Sequence, residues 1–154
     1  MTVAVDPGQL IAAIGDAVVV TDAGGTITLW NPGATRLFGF SESEALGQSM
    51  DIFIPERLRK RHWDGYHETM RTGITKYGTD LLKVPAMDKA GRSLSIAFTV
   101  ALLPGADGKP AAIAAIIRDE TARFAEERSL RKRLAELEAA ATGAVSGRTA
   151  ADPR

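Results

Sequence analysis

The side chains best suited to chemistry are two histidines in one short charged stretch, His62 and His67. A neutral imidazole is a common ligand of metal ions and of haem iron. On a helix of 3.6 residues per turn, five residues separate the two rings by about 140°, so they do not readily serve one site. The stretch therefore offers single imidazole ligands rather than a cluster with the spacing of a protein metal site.

The residue patterns of the common enzyme classes are missing from the sequence. The chain has no cysteine, which excludes a thiolate nucleophile, a thiolate metal site and the cysteinyl–flavin adduct of some photosensors. It also has no G-x-S-x-G motif, no phosphate-binding loop and no nucleophile–base pair. Asp64 and Glu68 share a helix face, but ion pairs with Lys60 or Arg71 explain them. We therefore expect no catalytic residues and a function in binding rather than catalysis.

The bulk composition is typical of a globular domain and argues against some partners. Hydrophobic residues make up 45% of the 154 residues and charged residues 25%, with 19 basic and 19 acidic side chains. A chain without net charge has no general attraction to nucleic acid or anionic lipid, so neither partner is expected. The sequence has no long apolar run, no signal peptide and no cysteine. We therefore expect a cytoplasmic protein that is not bound to a membrane.

Periodicity and turn residues predict the elements that must position the histidines. Ser41 and Glu44 have capping-box spacing at the start of one short helix, and Pro55 begins the clearest helix, at about residues 56–71. Strands are predicted at residues 17–21, 26–30, 81–87, 94–103 and 112–118. Two strands, a helical middle and three further strands indicate an α+β fold, with one five-stranded antiparallel sheet that helices cover on one face.

The C-terminal part has a different pattern. Leu130, Leu134 and Leu137 are separated by four and then three residues, which is a heptad seam of about two repeats. We expect these leucines to form the seam of a homodimer, with help from the preceding domain. The predicted organisation is an N-terminal tail at 1–8, a domain at 9–120, an amphipathic helix at 121–141 and a disordered tail at 142–154.

A series of short motifs follows in a fixed order along this domain. The motifs are Asp16-Ala17 through Val20-Thr21-Asp22, Gly25, Ile27, Asn31, Ala34, Phe38-Gly39-Phe40, Glu44, Gly47, Lys89-Ala90-Gly91 and Arg118-Asp119-Glu120-Thr121. Their order and spacing resemble the PAS (S-box) superfamily over about residues 9–121. The turn at Lys89 is similar to a lysine/arginine-aspartate-glycine hairpin, with Ala90 in place of aspartate. The last motif is similar to the aspartate-X-threonine element that begins the signalling helix.

This resemblance implies a sensory function. PAS domains typically hold a small ligand or cofactor between the sheet and the helical middle, and the C-terminal helix relays its presence to a dimer or a signalling partner. In this chain Asp119 and Thr121 would be the relay residues, with Thr121 capping the helix. The cofactor-binding residues would be Ile52, Ile54, Leu58, His62, Trp63, Tyr66, Met70, Phe98 and Val100. Apolar walls are typical of a small-molecule site, but the same side chains could instead fill the core.

Haem-bearing PAS oxygen sensors place an iron-ligating histidine after a proline-led segment and before an acidic-small-tyrosine triplet. The stretch Arg61-His62-Trp63-Asp64-Gly65-Tyr66 is similar. Counting from Pro55 places His62 at the ligand position, whereas counting back from Tyr66 places Trp63 there. Where those sensors have a glycine-rich strand with an arginine, this chain has Thr79-Asp80-Leu81-Leu82-Lys83. The resemblance implies haem b with His62 on the iron; the alternatives are another small apolar ligand, or no cofactor and a structural histidine.

Two functions are compatible with the sequence. The first is a sensor whose occupied pocket acts on the C-terminal helix. The second is a ligand-free dimerisation module with a filled core, which would use the outer face of its sheet and the C-terminal helix. Residues that bear on the second are Ile27, Trp30, Ile113, Ala115 and Ile117. An exposed apolar patch formed by them would mark a partner surface.

Overall fold

The structure is a computed structural model that describes residues 1–75 and 78–149, with only the backbone at 145–149. The chain divides into two units, the first of which covers residues 1–120 and the second the residues from 121 on. The first unit comprises α1 (Pro7–Ala13), β1 (Ala17–Asp22), β2 (Ile27–Trp30), α2 (Pro32–Phe38), α3 (Glu42–Ala45), a short 3-10 helix (Met50–Phe53), α4 (Glu56–Thr72), β3 (Leu82–Met87), β4 (Ser93–Pro104) and β5 (Pro110–Asp119). The second unit is α5 (Thr121–Thr149).

The five strands form one antiparallel sheet in the order β2-β1-β5-β4-β3. The predicted α+β fold is therefore confirmed. The first two strands and the last three flank the helical segments in the chain, yet β1 pairs directly with β5, with Ala17 opposite Ile117 and Asp22 opposite Ala112. This pairing brings the start of the domain beside the strand that leads into α5.

The face of the sheet that meets the helices carries the core. Alternation puts Ile113, Ala115 and Ile117 of β5 on the same face as Val19 of β1. Ile27 and Trp30 are 1% and 2% exposed, and Ile117 is 3% exposed. The partner surface considered from the sequence is thus not formed by these five residues, because they face inward. Alternation along a strand separates two faces but does not say which one the helices cover.

Three aromatic rings fill the space between the sheet and the first helices. Trp30 packs at 5.6 Å from Phe38 and 6.1 Å from Phe53, and the last two rings stack at 4.7 Å. The indole nitrogen of Trp30 donates to the Thr35 hydroxyl and to the Phe40 carbonyl, at 3.2 and 3.1 Å. This part of the interior is therefore solidly packed, and its one polar atom is satisfied.

Asn31, the residue between β2 and α2, ties three segments together. Its Oδ1 accepts from the backbone nitrogens of Val18 and Ala34, at 2.8 and 2.9 Å. Its Nδ2 donates to the carbonyl oxygens of Ile11 and Asp16, at 2.9 and 3.0 Å. Asn31 is only 4% exposed, so water could not easily replace the hydrogen bonds that its side chain makes to these backbone groups. Asn31 thereby holds α1 and the start of β1 against α2.

The second unit is a single long helix, as the sequence predicts, but it extends farther. α5 continues past the predicted end at residue 141 to Thr149, and residues 150–154 of the predicted tail lie outside the described residues. The alanines at 139–141 favour propagation, while a glycine such as Gly143 costs about 1 kcal/mol relative to alanine and does not by itself end a helix. Within the described ranges, no helix has the length and apolar character needed to cross a bilayer.

The hydrogen bonds of Asn31 generate a stability prediction. Asn31→Ala leaves two buried backbone donors and two acceptors without their partner, so we expect the free energy of unfolding to fall by about 2–4 kcal/mol. Ser49→Ala is the control, because Ser49 makes one exposed capping bond to the nitrogen of Asp51 and should cost about 1 kcal/mol. Urea denaturation followed by circular dichroism measures both. Equal losses would show that the bonds of Asn31 are not the tie described above.

Candidate functional site

The inward face of α4 carries the residues that could bind a ligand. Its partly or fully buried positions are Leu58, Arg59, His62, Trp63, Tyr66, Thr69 and Met70. At 100° per residue these positions span about 140° of the helix circumference. Tyr66 lies near the middle of the face and is 7% exposed, with His62 about 40° to one side and Trp63 about 60° to the other. Both candidates for the ligand position therefore lie on this face, at different sides of it.

Trp63 attaches α4 to the turn between β1 and β2. Its indole Nε1 donates to Asp51 Oδ1 at 2.8 Å. Its six-membered ring lies directly over Gly25, where a Cβ would be only 2.0 Å from Cη2 and 2.2 Å from Cζ3. Gly25 also has a φ of +82°, so both its backbone and the indole exclude a side chain at this position. We call Trp63, Gly25 and Asp51 the tryptophan latch.

Tyr66 is a second attachment, one turn farther along α4. Its hydroxyl donates to the carbonyl oxygen of Asp22 and lies 2.9 Å from the Thr21 hydroxyl. Burial raises the pKa of Tyr66, so the phenol keeps its proton at neutral pH. The polar end of this predicted pocket residue is thus used within the domain, where it joins α4 to β1.

His62 is left with an unused polar atom. Its Nδ1 is buried and has no hydrogen-bond partner in the part of the chain that the structure describes. The ring packs edge-on against Trp63 at 4.8 Å and beside Tyr66 at 5.8 Å. Burial lowers the pKa of His62 more than the nearby Asp51 carboxylate raises it, which favours the neutral imidazole at pH 7. A neutral ring nitrogen is the form that ligates a metal.

His67 differs from His62 in each of these respects. It is exposed and stacks on Trp63 at 5.7 Å. The structure thus keeps the two histidines in different environments, as their spacing predicts. Among the described residues, no three histidine, cysteine, aspartate or glutamate side chains are grouped to hold a metal ion. Any metal that His62 binds would have to bring its remaining ligands with it, as haem does.

The other predicted lining residues lie near the core. Ile54 is buried, and Ile52, Leu58 and Phe98 pack against the same core cluster. Val100 is half-buried and lies opposite Ala115, on the face of the sheet that meets the helices. Met70 is half-buried near the end of α4. The structure therefore places these residues on inward faces, and their role in binding a ligand remains a prediction.

Two open depressions lie elsewhere on the first unit. One of about 360 Å³ is lined by Trp30, Asn31, Pro32, Thr35, Arg36 and Glu42. The other, of about 680 Å³, is lined by Pro55, Glu56, Arg57, Ala86, Met87, Gly91 and Ser93. Neither is lined by His62, Trp63 or Tyr66, which pack against one another. A ligand beside His62 would therefore need the half-buried side chains of α4 to move aside.

The predicted relay and dimer residues occupy the end of the sheet and α5. Asp119 is the last residue of β5 and Thr121 the first of α5. On α5 itself, Leu130, Leu134 and Leu137 are 59%, 57% and 61% exposed. These leucines are available for a partner, although the single chain does not show one. The roles of all five residues remain predictions.

Sequence reasoning missed the latch residues Gly25 and Asp51 as partners of Trp63. Gly25 was visible as a turn glycine, but a turn requires only its backbone conformation. Its packing beneath an indole from α4 is a contact between segments far apart in sequence, and no local pattern signals it. Asp51 likewise has an ordinary capping context beside Ser49. The extra residue counted between Pro55 and Tyr66 was the available signal that Trp63 has a separate role.

Known proteins resemble most of the first unit. A family model described as PAS fold matches residues 6–119. Over 64 residues, the chain is 46% identical to the sensor protein FixL of Bradyrhizobium diazoefficiens, a match that covers 42% of this chain. The same match covers 12% of FixL, so the chain corresponds to a small part of that relative.

Two solved structures have a similar fold. A PAS domain from Colwellia psychrerythraea superposes with a TM-score of 0.65 at 23% identity, covering 74% of this chain and 93% of that one. An RNA-binding light-oxygen-voltage receptor superposes with a TM-score of 0.66 at 15% identity, covering 83% of this chain and 36% of the receptor. At these identities the likeness concerns the fold.

The tryptophan latch generates a prediction with a matched control. Gly25→Ala and Gly47→Ala both put a side chain at a positive φ, of +82° and +83°, but only Gly25 faces the indole, whereas Gly47 has nothing within 4 Å. Both variants bear the backbone cost, roughly 1–2 kcal/mol. Gly25→Ala should lose about 1–3 kcal/mol more, because the core is overpacked there. Thermal or urea unfolding gives the difference, and equal losses would contradict the latch.

Proposed function

The chain belongs to the PAS fold family, as its sequence motifs indicate, and we propose that it is a sensory module whose ligand binds beside His62, between α4 and the sheet. PAS domains are generally sensory modules rather than enzymes. The observation that carries the proposal is the buried, unpartnered Nδ1 of His62. Most buried polar atoms in folded proteins have a partner, so an unpartnered one on an inward face supports a ligand at that place.

Haem b is the ligand that we propose for this site. The imidazole fits the role of an iron ligand because its lowered pKa favours the neutral form and its buried Nδ1 is not committed to another group. A 180° rotation of the ring about its Cβ–Cγ bond exchanges Nδ1 with Cδ2 and Nε2 with Cε1, so the direction in which each nitrogen points can change when a ligand binds. Haem iron, when bound, would supply the capacity to bind a diatomic gas. Ile52, Leu58 and Phe98 would provide the apolar contacts.

The tryptophan latch supports His62, rather than Trp63, as the ligand residue. Trp63 is already engaged with Asp51 and Gly25. The chain departs from the haem sensor pattern on the opposite wall, where Leu82 lies across from Phe98 and no arginine is present in β3. A bound gas would therefore lack a guanidinium donor from β3. We expect the affinity for the gas to depend on apolar contacts and on the access of the gas to the iron. This dependence should be greater than in sensors that have the arginine.

The relay that we propose runs through contacts present in the structure. A ligand beside His62 displaces Tyr66, whose hydroxyl is bonded to Thr21 and to Asp22 of β1. β1 is paired with β5 over its whole length. β5 ends at Asp119, and α5 begins at Thr121. A small displacement of α4 thus reaches the junction through packed and hydrogen-bonded neighbours, as a two-state relay requires.

Output through α5 completes the proposal. We propose a cytoplasmic homodimer in which Leu130, Leu134 and Leu137 of two copies meet, and a protein partner that responds to the geometry of the dimer. Leucines at alternating four- and three-residue spacing bury one apolar stripe per helix when two helices associate. Their exposure in the single chain supports this pairing.

A ligand-free interaction module is the second candidate. The observation that favours it is the solid packing of Trp30, Phe38 and Phe53, together with open depressions that lie away from His62. In this case α5 would still carry the dimer contact, and His62 would be a structural residue. Native mass spectrometry of freshly purified protein separates the two, because a retained small molecule appears as an added mass.

The haem proposal predicts a clear difference between the two histidines. Protein expressed in cells or mixed with haemin should show the strong violet absorption band of protein-bound haem. His62→Ala should lose this band, because the iron ligand is removed. His67→Ala should keep it, since His67 is exposed to solvent. The absence of a band from the native protein, or its persistence in His62→Ala, would refute haem binding through His62.

The dimer proposal predicts that Leu134→Asp weakens self-association. A charge in the seam must be buried against the partner or leave the interface, so the dissociation constant should rise at least about tenfold, which equals about 1.4 kcal/mol. Ala139→Asp adds the same charge outside the heptad seam and should have little effect. Sedimentation velocity over a range of concentrations measures both. An unchanged dimer in Leu134→Asp would show that another surface holds it.

A further inference from the structure

An ion pair between Asp16 and Arg118 lies at the point where the first unit ends. Arg118 donates from Nε to Asp16 Oδ1 at 3.1 Å and from Nη2 to Asp16 Oδ2 at 3.0 Å. The two residues are 102 positions apart in the sequence, and their side chains are 67% and 29% exposed. Two parallel bonds between a guanidinium and a carboxylate fix direction as well as distance. The neighbouring Asp16 carboxylate accordingly raises the pKa of Arg118.

The position of this pair follows from the register of the sheet. The ladder between β1 and β5 includes Val18 opposite Ile116 and ends with Ala17 opposite Ile117. The next pair in this register is Asp16 and Arg118, so the side chains continue the connection where the regular backbone pairing stops. Arg118 precedes Asp119 and Glu120, and α5 begins directly after them.

The two partners differ in how firmly they are held. The carbonyl oxygen of Asp16 accepts from Asn31 Nδ2 at 3.0 Å. Gly33 packs against the same carbonyl so closely that a Cβ there would lie 2.3 Å from the oxygen. Asp16 is thus fixed to the start of α2, whereas the guanidinium of Arg118 is largely in solvent. The pair therefore joins a fixed point in the domain to the strand end that carries α5.

We propose that Asp16 and Arg118 form an exit clamp, a pair of positioning residues that sets the equilibrium position of the junction before α5. An exposed ion pair contributes little to overall stability, and salt weakens it. Such a contact can open without unfolding the domain, which is the property that a movable junction needs. The clamp makes a second input possible, because movement of the segment ahead of β1 would act on the junction without any change at His62.

The clamp rests on the proposed function only in that both use the junction before α5, and its test requires no ligand. The chain has no cysteine, so Glu126→Cys provides a single site for a nitroxide label on α5. Asp16→Asn, which is nearly isosteric, and Arg118→Gln should each increase the mobile component of the label's spectrum severalfold. The exchanged pair Asp16→Arg with Arg118→Asp should restore the original spectrum, because the ion pair is re-formed with opposite polarity.

The control breaks a similar ion pair that is far from the junction. Glu68 and Arg71 of α4 are joined by two bonds, at 3.2 and 2.7 Å, and Glu68→Gln should leave the label on α5 unchanged. Raising the salt concentration should increase label mobility in the parent protein and have little effect in Asp16→Asn. Thermal unfolding of each variant verifies that the domain remains folded.

The outcomes separate the clamp from the ligand proposal. An unchanged spectrum in both single variants, a failure of the exchanged pair to restore it, or an equal effect of Glu68→Gln would overturn the clamp. Those results would leave the haem test on His62 unaffected. Conversely, the label mobility could change as expected in a protein that shows no violet absorption band of haem. That result would support the clamp and refute the haem proposal.

Discussion

β1 is hydrogen-bonded to β2 on one side and to β5, the central strand of the sheet, on the other, and most of the domain depends on these two pairings. Its inward residues Ala17 and Val19 form part of the core, and its end at Thr21 and Asp22 receives the hydroxyl of Tyr66. Because β5 is the last strand before α5, whatever moves β1 acts on the strand that leads to the C-terminal helix. The antiparallel pairing of these two strands therefore underlies both the packing and the proposed relay.

The contacts around β1 differ in how deeply they are buried. Asn31 makes four hydrogen bonds in a buried position, and the rings of Trp30, Phe38 and Phe53 pack solidly beside it. By contrast, much of the inward face of α4 is only half-buried, and His62 has an unused nitrogen there. A sensor needs a rigid frame that transmits a displacement and a surface on which a ligand can act. The unused atom lies on the less buried of these two sides, where we propose that the ligand binds.

The strand pattern was predictable because period-two alternation and turn residues are local features of the sequence. The same alternation could not assign Ile113, Ala115 and Ile117 to the inner face, since that depends on which side the helices cover. Small and polar residues after position 141 predict a disordered tail, whereas α5 continues to Thr149 in the structure. The position of His62 on the helix was predictable, but the contact of Trp63 with Gly25 was not. That contact joins two segments that only the folded chain brings together.

The rotation of α4 decides whether His62 or Trp63 could face the proposed ligand, and two attachments to β1 and its turn determine that rotation. Trp63 over Gly25 and Tyr66 against Thr21 are three residues apart on α4, about 60° around the axis. Two anchors so placed leave little freedom to rotate the helix. They fix the orientation of His62, which lies on the same side of the inward face as Leu58, a residue that packs against the core. Trp63 thus helps to orient the histidine that precedes it. A ligand at His62 would then act on the rotation of α4 against these anchors, and the Tyr66 anchor lies on the strand that is paired with β5.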